Sequence, residues 1–327
     1  MNQENSEREG IGAVRRASAR RTQLHGLYVV DKPKGITSFD VVQRIRGSTG
    51  IRQIGHIGTL DPLATGVLPV CVGEATKLVP YLFSGKRRYA GECVLGLETD
   101  TEDITGTIVS KSDAANIPTH RIEEILQGLT GVQVQLAPLF SAVKYRGKPS
   151  YYWARKGIAV PRKERRIQVE AFDLSRREGD RICFDLLCSS GTYVRSLVGE
   201  VGRLLGCGAC VTGLRRLQCG CFLVEDAVSL EHLATCLYED GEGGGFFWPL
   251  IKLLPGFESV LVDEEMMQRL GKGMAIPYPE GVLCTLKGAE RGAKIKVIYN
   301  NTVVALAEPD SVKGETVLRP IRILHTT

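Results

Sequence analysis

The chain has 327 residues, with 42 Lys and Arg against 37 Asp and Glu, a net charge of 42 − 37 = +5 at pH 7. With 43 % hydrophobic and 24 % charged residues it can bury a full core and form two domains, which sets aside a chain without packed structure. No apolar run approaches the ~18 residues of a membrane-spanning helix, no secretory signal opens the sequence, and the ten cysteines, many inside apolar strands, are expected to be reduced thiols of a cytoplasmic protein.

Residues 1 to 24 are polar, cluster Arg15, Arg16, Arg20 and Arg21, and lack apolar periodicity, so a disordered basic tail is expected. Glu4, Glu7 and Glu9 argue against an organellar transit peptide. GLYVVDKPKGITSFDVVQRIR (26 to 46) predicts a short apolar strand, a turn on Lys32, Pro33 and Gly35, and a helix capped by Thr37 or Ser38. GHIGTLDPLATG (55 to 66) holds a single acid, Asp61, walled in by Leu60, Pro62, Leu63 and Ala64. A carboxylate among leucines has poor access to water, so either a partner elsewhere answers its charge or it holds its proton more tightly. The plainer alternative is an Asp-Pro turn whose carboxylate caps its own backbone. VLPVCVG (67 to 73) follows as a buried strand, and Glu74 to Lys77 start another helix.

Asp100, Glu102 and Asp103 superficially suggest a calcium loop, but position twelve counted from Asp100 is Lys111, where a bidentate acid is needed. A solvated hairpin turn is expected there. Helices are predicted over His120 to Leu129 and Tyr193 to Leu205. Between Lys144 and Arg166, nine basic residues, Arg155 among them, face one acid, Glu164, with Tyr145, Tyr151, Tyr152 and Trp153 interleaved. Cations neutralise phosphates and aromatic faces stack on bases, which suits RNA. A solvated basic hairpin, with Tyr151 and Trp153 in a core, is the alternative.

Cys207 and Cys210 (CxxC) with Cys219 and Cys221 (CxC) could form a four-thiolate zinc site, but CxC is an unusual knuckle and VTGLRRLQ between them has the pattern of a strand. No metal is expected. EDGEGGG (239 to 245) marks a flexible loop near a domain boundary. After Pro255, a helix over Glu264 to Leu270 and strands around Gly281 to Leu286, Ala293 to Ile298, Thr302 to Ala307 and Thr316 to Ile323 outline a small β barrel. The expected class is α+β: a large mixed, mainly antiparallel sheet flanked by helices over residues 25 to 250, and a small C-terminal β-barrel domain over 255 to 327.

DKPKGITS (31 to 38) and GHIGTLDPLATGVLP (55 to 69) closely resemble the TruB family of tRNA pseudouridine synthases. The resemblance continues through KRRYAGECVLGLETDTEDITG (86 to 106), QLAPLFSAVKYRGKPSYYWARKG (135 to 157), SSGTYVRSL (189 to 197) and VTGLRRL (211 to 217). Ala137 stands for the first of two prolines and Phe140 for a tyrosine, departures that soften the local turn without touching the expected reacting groups.

The resemblance implies a pseudouridine synthase fold with a PUA-like RNA-binding module at the C-terminus. It implies conversion of uridine 55 in the tRNA T-loop to pseudouridine by a monomer acting on the T-arm, without cofactor, metal or protein partner. Asp61 would be the reacting carboxylate, attacking C1′ or removing the 2′ proton. Arg195 would pair with it in a dry pocket, and Tyr89 would stack on the flipped base and could carry a proton at C5. His56 would contact the loop where the base is extruded, Tyr193 and Leu214 would line the pocket, and Lys32 and Pro33 would shape the site; Arg155 belongs to the expected RNA-binding tract. Without the motifs these are a turn histidine, a helix-start aromatic, a core leucine, a strand tyrosine and a surface arginine. A non-catalytic tRNA-binding or folding chaperone would explain the basic tract, and a zinc-dependent nucleic-acid enzyme the cysteines. Neither explains Asp61, Tyr89 and Arg195 in the family's order. Because the reacting residues all precede Arg216, the segment after Pro255 is expected to bind and not to react.

Overall fold

The computed structural model describes residues 24–239, 241–278, 292–312 and 315–326. The expected basic tail, apart from Leu24, and the expected strand around Gly281 to Leu286 lie outside the described residues.

Eleven strands join in one mixed sheet: β1 (Gly26–Lys32), β2 (Ile54–His56), β3 (Thr65–Val72), β4 (Lys86–Leu95), β5 (Gly131–Leu136), β6 (Glu164–Glu178), β7 (Arg181–Ser189), β8 (Ala209–Cys219), β9 (Phe222–Leu223), β10 (Val228–Ser229) and β11 (Phe247–Pro249). The order is β10-β1-β3-β8-β4-β7-β6-β5, with β2 on β3, β9 on β8 and β11 on β1. The β1–β10 and β3–β8 pairs are parallel and the others antiparallel, as expected of a mainly antiparallel sheet. Strand β1 is apolar from Leu27 to Val30 because both its faces are covered there. Tyr28 and Val30 point one way, Leu27 and Val29 the other, and all four are buried.

The Tyr28 face carries four helices: α1 (Ser38–Thr49), α2 (Thr119–Gly128), α3 (Val194–Leu205) and α4 (Leu230–Glu239). Helix α1 is opened by Thr37, whose side chain accepts from the Asp40 amide while the Asp40 carboxylate accepts from the Thr37 amide. Thr37 is thus the cap, and Ser38 is free for a longer-range contact. Val41, Val42 and Ile45 face the core.

Against the Leu27 face lies a curled five-stranded sheet of β12 (Glu258–Leu261), β13 (Ile276–Pro277), β14 (Ile295–Tyr299), β15 (Thr302–Val312) and β16 (Glu315–Ile323), in the order β12-β14-β15-β16-β13, with α5 (Glu264–Gly271) beside it. The two sheets share one hydrophobic core: Ile298, Val303, Leu306 and Leu324 cluster with Leu27, Val29, Ile57, Cys71 and Leu78. Glu74 adds a polar tie, its carboxylate accepting from Lys77 Nζ at 2.6 Å and from the His325 amide at 2.7 Å. The glycine-rich tract is anchored too: the Glu242 carbonyl accepts from the Tyr28 hydroxyl at 2.7 Å.

Candidate active site

Asp61 sits in the loop between β2 and β3, and hydrogen-bond donors hold the backbone on either side of it. The Ser38 hydroxyl donates to the Leu60 carbonyl at 3.0 Å and accepts from the Leu60 amide at 2.8 Å. After Asp61, the Pro62 carbonyl accepts from the Gly35 amide at 2.7 Å and, more weakly, from Lys32 Nζ at 3.5 Å. Lys32, fully buried, also donates to the carbonyls of Pro33 at 2.9 Å and Ile36 at 2.7 Å. Burial pulls its pKa down to about 8, although the Asp61 charge resists the fall. The KPKGITS turn thus serves as the bracket for the Asp61 loop.

Leu60, Leu63 and Ala64 are buried, but the Asp61 side chain keeps 36 % exposure. The expectation of a dry pocket is met on one side only: the carboxylate is open to solvent on the other side, and on the dry side a partner answers its charge. That partner is Arg195, on the first turn of α3 and 4 % exposed. Its Nε donates to one Asp61 oxygen at 2.7 Å and its Nη2 to the other at 3.2 Å. The remaining bonds run from Nη1 to the Thr101 carbonyl at 2.6 Å and from Nη2 to the Phe140 carbonyl at 2.9 Å. The surface-arginine alternative is therefore ruled out.

The loop over residues 100 to 106 is the expected turn of a short hairpin, Leu97–Thr99 against Ile108–Lys111, with Asp100, Ile104 and Thr105 exposed, but one of its acids turns inward. Asp103 is buried, one oxygen accepting from the hydroxyls of Thr101 and Thr105 and the Thr105 amide, the other lying 3.9 Å from Arg195 Nε. The loop is pinned to β8 by the Ile104 amide on the Val211 carbonyl at 2.8 Å and the Val211 amide on the Glu102 carbonyl at 3.2 Å. It forms one wall around Arg195. Phe140 reaches Arg195 as well, but through its carbonyl, so the exchange of the family's tyrosine leaves that bond available.

Tyr89 on β4 is paired in register with Arg216 on β8, and both are buried. Burial raises the Tyr89 pKa, with Arg216 opposing the rise, so at neutral pH it offers a flat apolar face and a phenol proton rather than a base. His56 is held neutral by burial and by the same guanidinium. Leu214 lies two residues before Arg216, opposite Gly91. Close passage of the start of β3 against β8 requires Gly66, at φ +99, because a Cβ there would lie 2.2 Å from the Arg216 carbonyl. Tyr193 precedes Arg195 at the start of α3. Its amide donates to Gln135 Oε1 at 2.8 Å, its carbonyl accepts from Gln135 Nε2 at 3.0 Å, and its ring lies beneath the Arg165 guanidinium. Gln135 and Arg216 are not among the site residues expected from the sequence, and Asp103 appears there only as a rejected calcium ligand.

Arg155 is set apart from this group, at the end of the short helix Ser150–Ala154 with its guanidinium over the Tyr151 ring. The chain's own cations lie over the tyrosine rings of the basic tract. Arg146 covers Tyr145, and Lys148 and Lys156 both lie over Tyr152, at 4.3 and 4.6 Å from its centroid. Trp153 donates Nε1 to the Tyr145 carbonyl at 3.0 Å and braces the hairpin. Arg162 donates to the Ala137 carbonyl at 2.8 Å and is structural. Cys210 and Cys219 lie at opposite ends of β8, ~25–30 Å apart at ~3.3 Å per residue, too far to share a zinc ion.

Residues 46–194 match the family described as TruB family pseudouridylate synthase (N terminal domain), and residues 195–262 match the tRNA pseudouridylate synthase B C-terminal domain. A protein of Geobacter sulfurreducens named tRNA pseudouridine synthase B is 39 % identical over 89 % of this chain and 95 % of its own length. The chain belongs to the TruB family of pseudouridine synthases. Another relative of that name, from Syntrophus aciditrophicus, is 42 % identical over 79 % of this chain and 81 % of its own. In this TruB-family enzyme Asp61 comes from the first matched segment and Arg195 opens the second, so their ion pair joins the two. Solved structures share the fold. A chain of a Cbf5-Nop10-Gar1 complex superimposes with a TM-score of 0.67 at 24 % identity, covering 94 % of this chain and 86 % of that one. A chain of an H/ACA RNP bound to a substrate RNA gives 0.65 at 21 % identity, with the same coverage.

Proposed function

We propose that this enzyme converts uridine 55 in the T-loop of tRNA to pseudouridine, with Asp61 as its single reacting carboxylate. The observation that carries the reading is the Asp61–Arg195 pair: a carboxylate gripped on both oxygens by a buried guanidinium, yet about one-third exposed. The curated relatives bear the name tRNA pseudouridine synthase B, which supports tRNA as the substrate.

The reaction breaks the bond from ribose C1′ to uracil N1, turns the base, and joins C1′ to C5; C5 gives up a proton and N1 gains one, so nothing else enters or leaves. An O-glycosidase uses a second carboxylate as an acid to protonate a poor leaving oxygen. Uracil departs as a delocalised anion, so one carboxylate suffices. Asp61 attacks C1′ or takes the 2′ proton, and Arg195 keeps it aimed in either route. The uridine must first leave its stack, at a cost of a few kcal/mol, which the Tyr89 ring and the apolar side chain of Leu214 help to offset. Tyr193 and the neutral His56 complete the pocket, and Arg155 with the other cations of its tract takes up phosphates. The C-terminal sheet adds RNA-binding surface in the manner of a PUA-like module. The protein works as a cytoplasmic monomer, without cofactor or protein partner.

Release of tritium from C5-labelled uridine in a tRNA transcript tests this directly. Stoichiometric release from a transcript with uridine at position 55, abolished when that position is cytidine, is the expected result. Tight binding without release would put the non-catalytic chaperone in its place.

A further inference from the structure

Arg216 is 1 % exposed, and no described carboxylate forms an ion pair with it. A buried charge without a counter-ion lowers stability, and an apolar side chain of similar volume is often the more stable choice. What the guanidinium offers in exchange is a rigid fork. Its Nε donates to the Val67 carbonyl at 2.7 Å and its Nη2 to the Gly58 carbonyl at 2.8 Å. Gly58 stands near the start of the loop that carries Asp61, and Val67 lies in β3 just beyond the loop's other end. Gly58 is at φ +67, and a Cβ there would lie 3.2 Å from Arg216 Nη1, so a glycine gives the fork its room.

We propose that Arg216 is a positioning residue for Asp61: by joining the Gly58 and Val67 carbonyls it fixes the span of the loop, and with it the place of the carboxylate between its Ser38 and Lys32 brackets. This rests on Asp61 being the reacting group. Lysine keeps the charge but its single head group cannot reproduce the planar fork. Methionine keeps the length and loses both bonds.

The test compares Arg216→Lys and Arg216→Met with wild type in the full chain, by amide hydrogen exchange and by single-turnover assay on a tRNA transcript. Exchange at the Leu60 amide, bonded to the Ser38 hydroxyl, and at the Ala64 amide, bonded to the Asp61 carbonyl, should quicken about tenfold or more, while amides of β6 and β7 keep their protection. The single-turnover rate should fall by roughly 10²-fold in the Met variant, the scale of a misplacement of about 1 Å, and less in the Lys variant, with RNA affinity nearly unchanged. If the Met variant does not fold, the Lys variant carries both measurements. Unchanged loop exchange in a folded variant, or a loss confined to affinity, overturns the proposal. A wild-type protein without activity would count against the proposed function alone, because the exchange measurement still reads the staple.

Discussion

Arg195 grips both oxygens of Asp61 from 134 residues further along the chain, and its other bonds go to the carbonyls of Thr101 and Phe140. Three separate loops therefore meet at one guanidinium. Arg195→Met should cost about 2–4 kcal/mol of stability, somewhat below the 3–5 typical of a broken buried pair because Asp61 is partly exposed. The single-turnover rate should drop by ~10² or more through lost aim. Urea unfolding combined with the single-turnover assay checks both, and unchanged values would mean the grip is incidental.

Lys32 supplies a pH dependence. Its pKa of about 8 means that it loses its charge well before an ordinary lysine, at ~10.4. The single-turnover rate should therefore show an alkaline limb near that value, as the hold on the Pro33, Ile36 and Pro62 carbonyls weakens. The stability effect has the opposite sign. Between the two pKa values the unfolded chain binds the extra proton, so this group's contribution to stability rises with pH, and unfolding does not explain the limb. Lys32→Arg, charged throughout, should remove it. A wild-type profile that stays flat through this range would contradict the role.

Much of this was legible in the sequence, for identifiable reasons. The Thr37 cap and the apolar strands are local patterns, and local patterns survive without knowledge of the rest of the chain. The Asp61–Arg195 pair is not local; the family motifs alone brought those residues together. In the Asp100 to Gly106 turn the polar composition matches the exposed Asp100 and Thr105 but conceals Asp103, which is buried by Thr101, Thr105 and a strand more than a hundred residues away. Arg216 carried a signal that went unused: it lies two residues from Leu214 on one strand, hence on the same face. Its neighbour Arg215 points the other way, to Asp31 at 2.7 Å.

The basic tract should act chiefly through charge, since its tyrosine rings already carry the chain's own cations. Changing Arg155, Lys156 and Lys163 to Ala, and sparing the structural Arg162, should flatten the plot of log affinity against log salt by roughly 2 to 3 units of slope. Equilibrium binding to tRNA over a salt series gives the answer. An unchanged slope would make the tract a solvated face.

The shared core makes the C-terminal sheet more than an addition. Removing everything after residue 252 takes away Ile298, Val303, Leu306 and Leu324, each of which buries against the catalytic sheet. At ~1.5–3 kcal/mol for each side chain, the loss is about 6–12 kcal/mol, comparable to the whole stability of a typical domain. The truncated chain should be largely unfolded or aggregated, by circular dichroism and thermal melting. A truncated chain that melts at the full-length temperature would show that the catalytic sheet stands alone.

The most direct test is the single-turnover rate of pseudouridine formation by Asp61→Asn, with enzyme in saturating excess over a tRNA transcript. Asparagine keeps the size and one acceptor oxygen, so the protein should fold and bind RNA nearly as before. The rate should fall by roughly 10⁴-fold or more, the scale seen when a nucleophile is removed from an otherwise intact site. Pseudouridine formed at close to the wild-type rate would contradict the assignment of Asp61 as the reacting carboxylate.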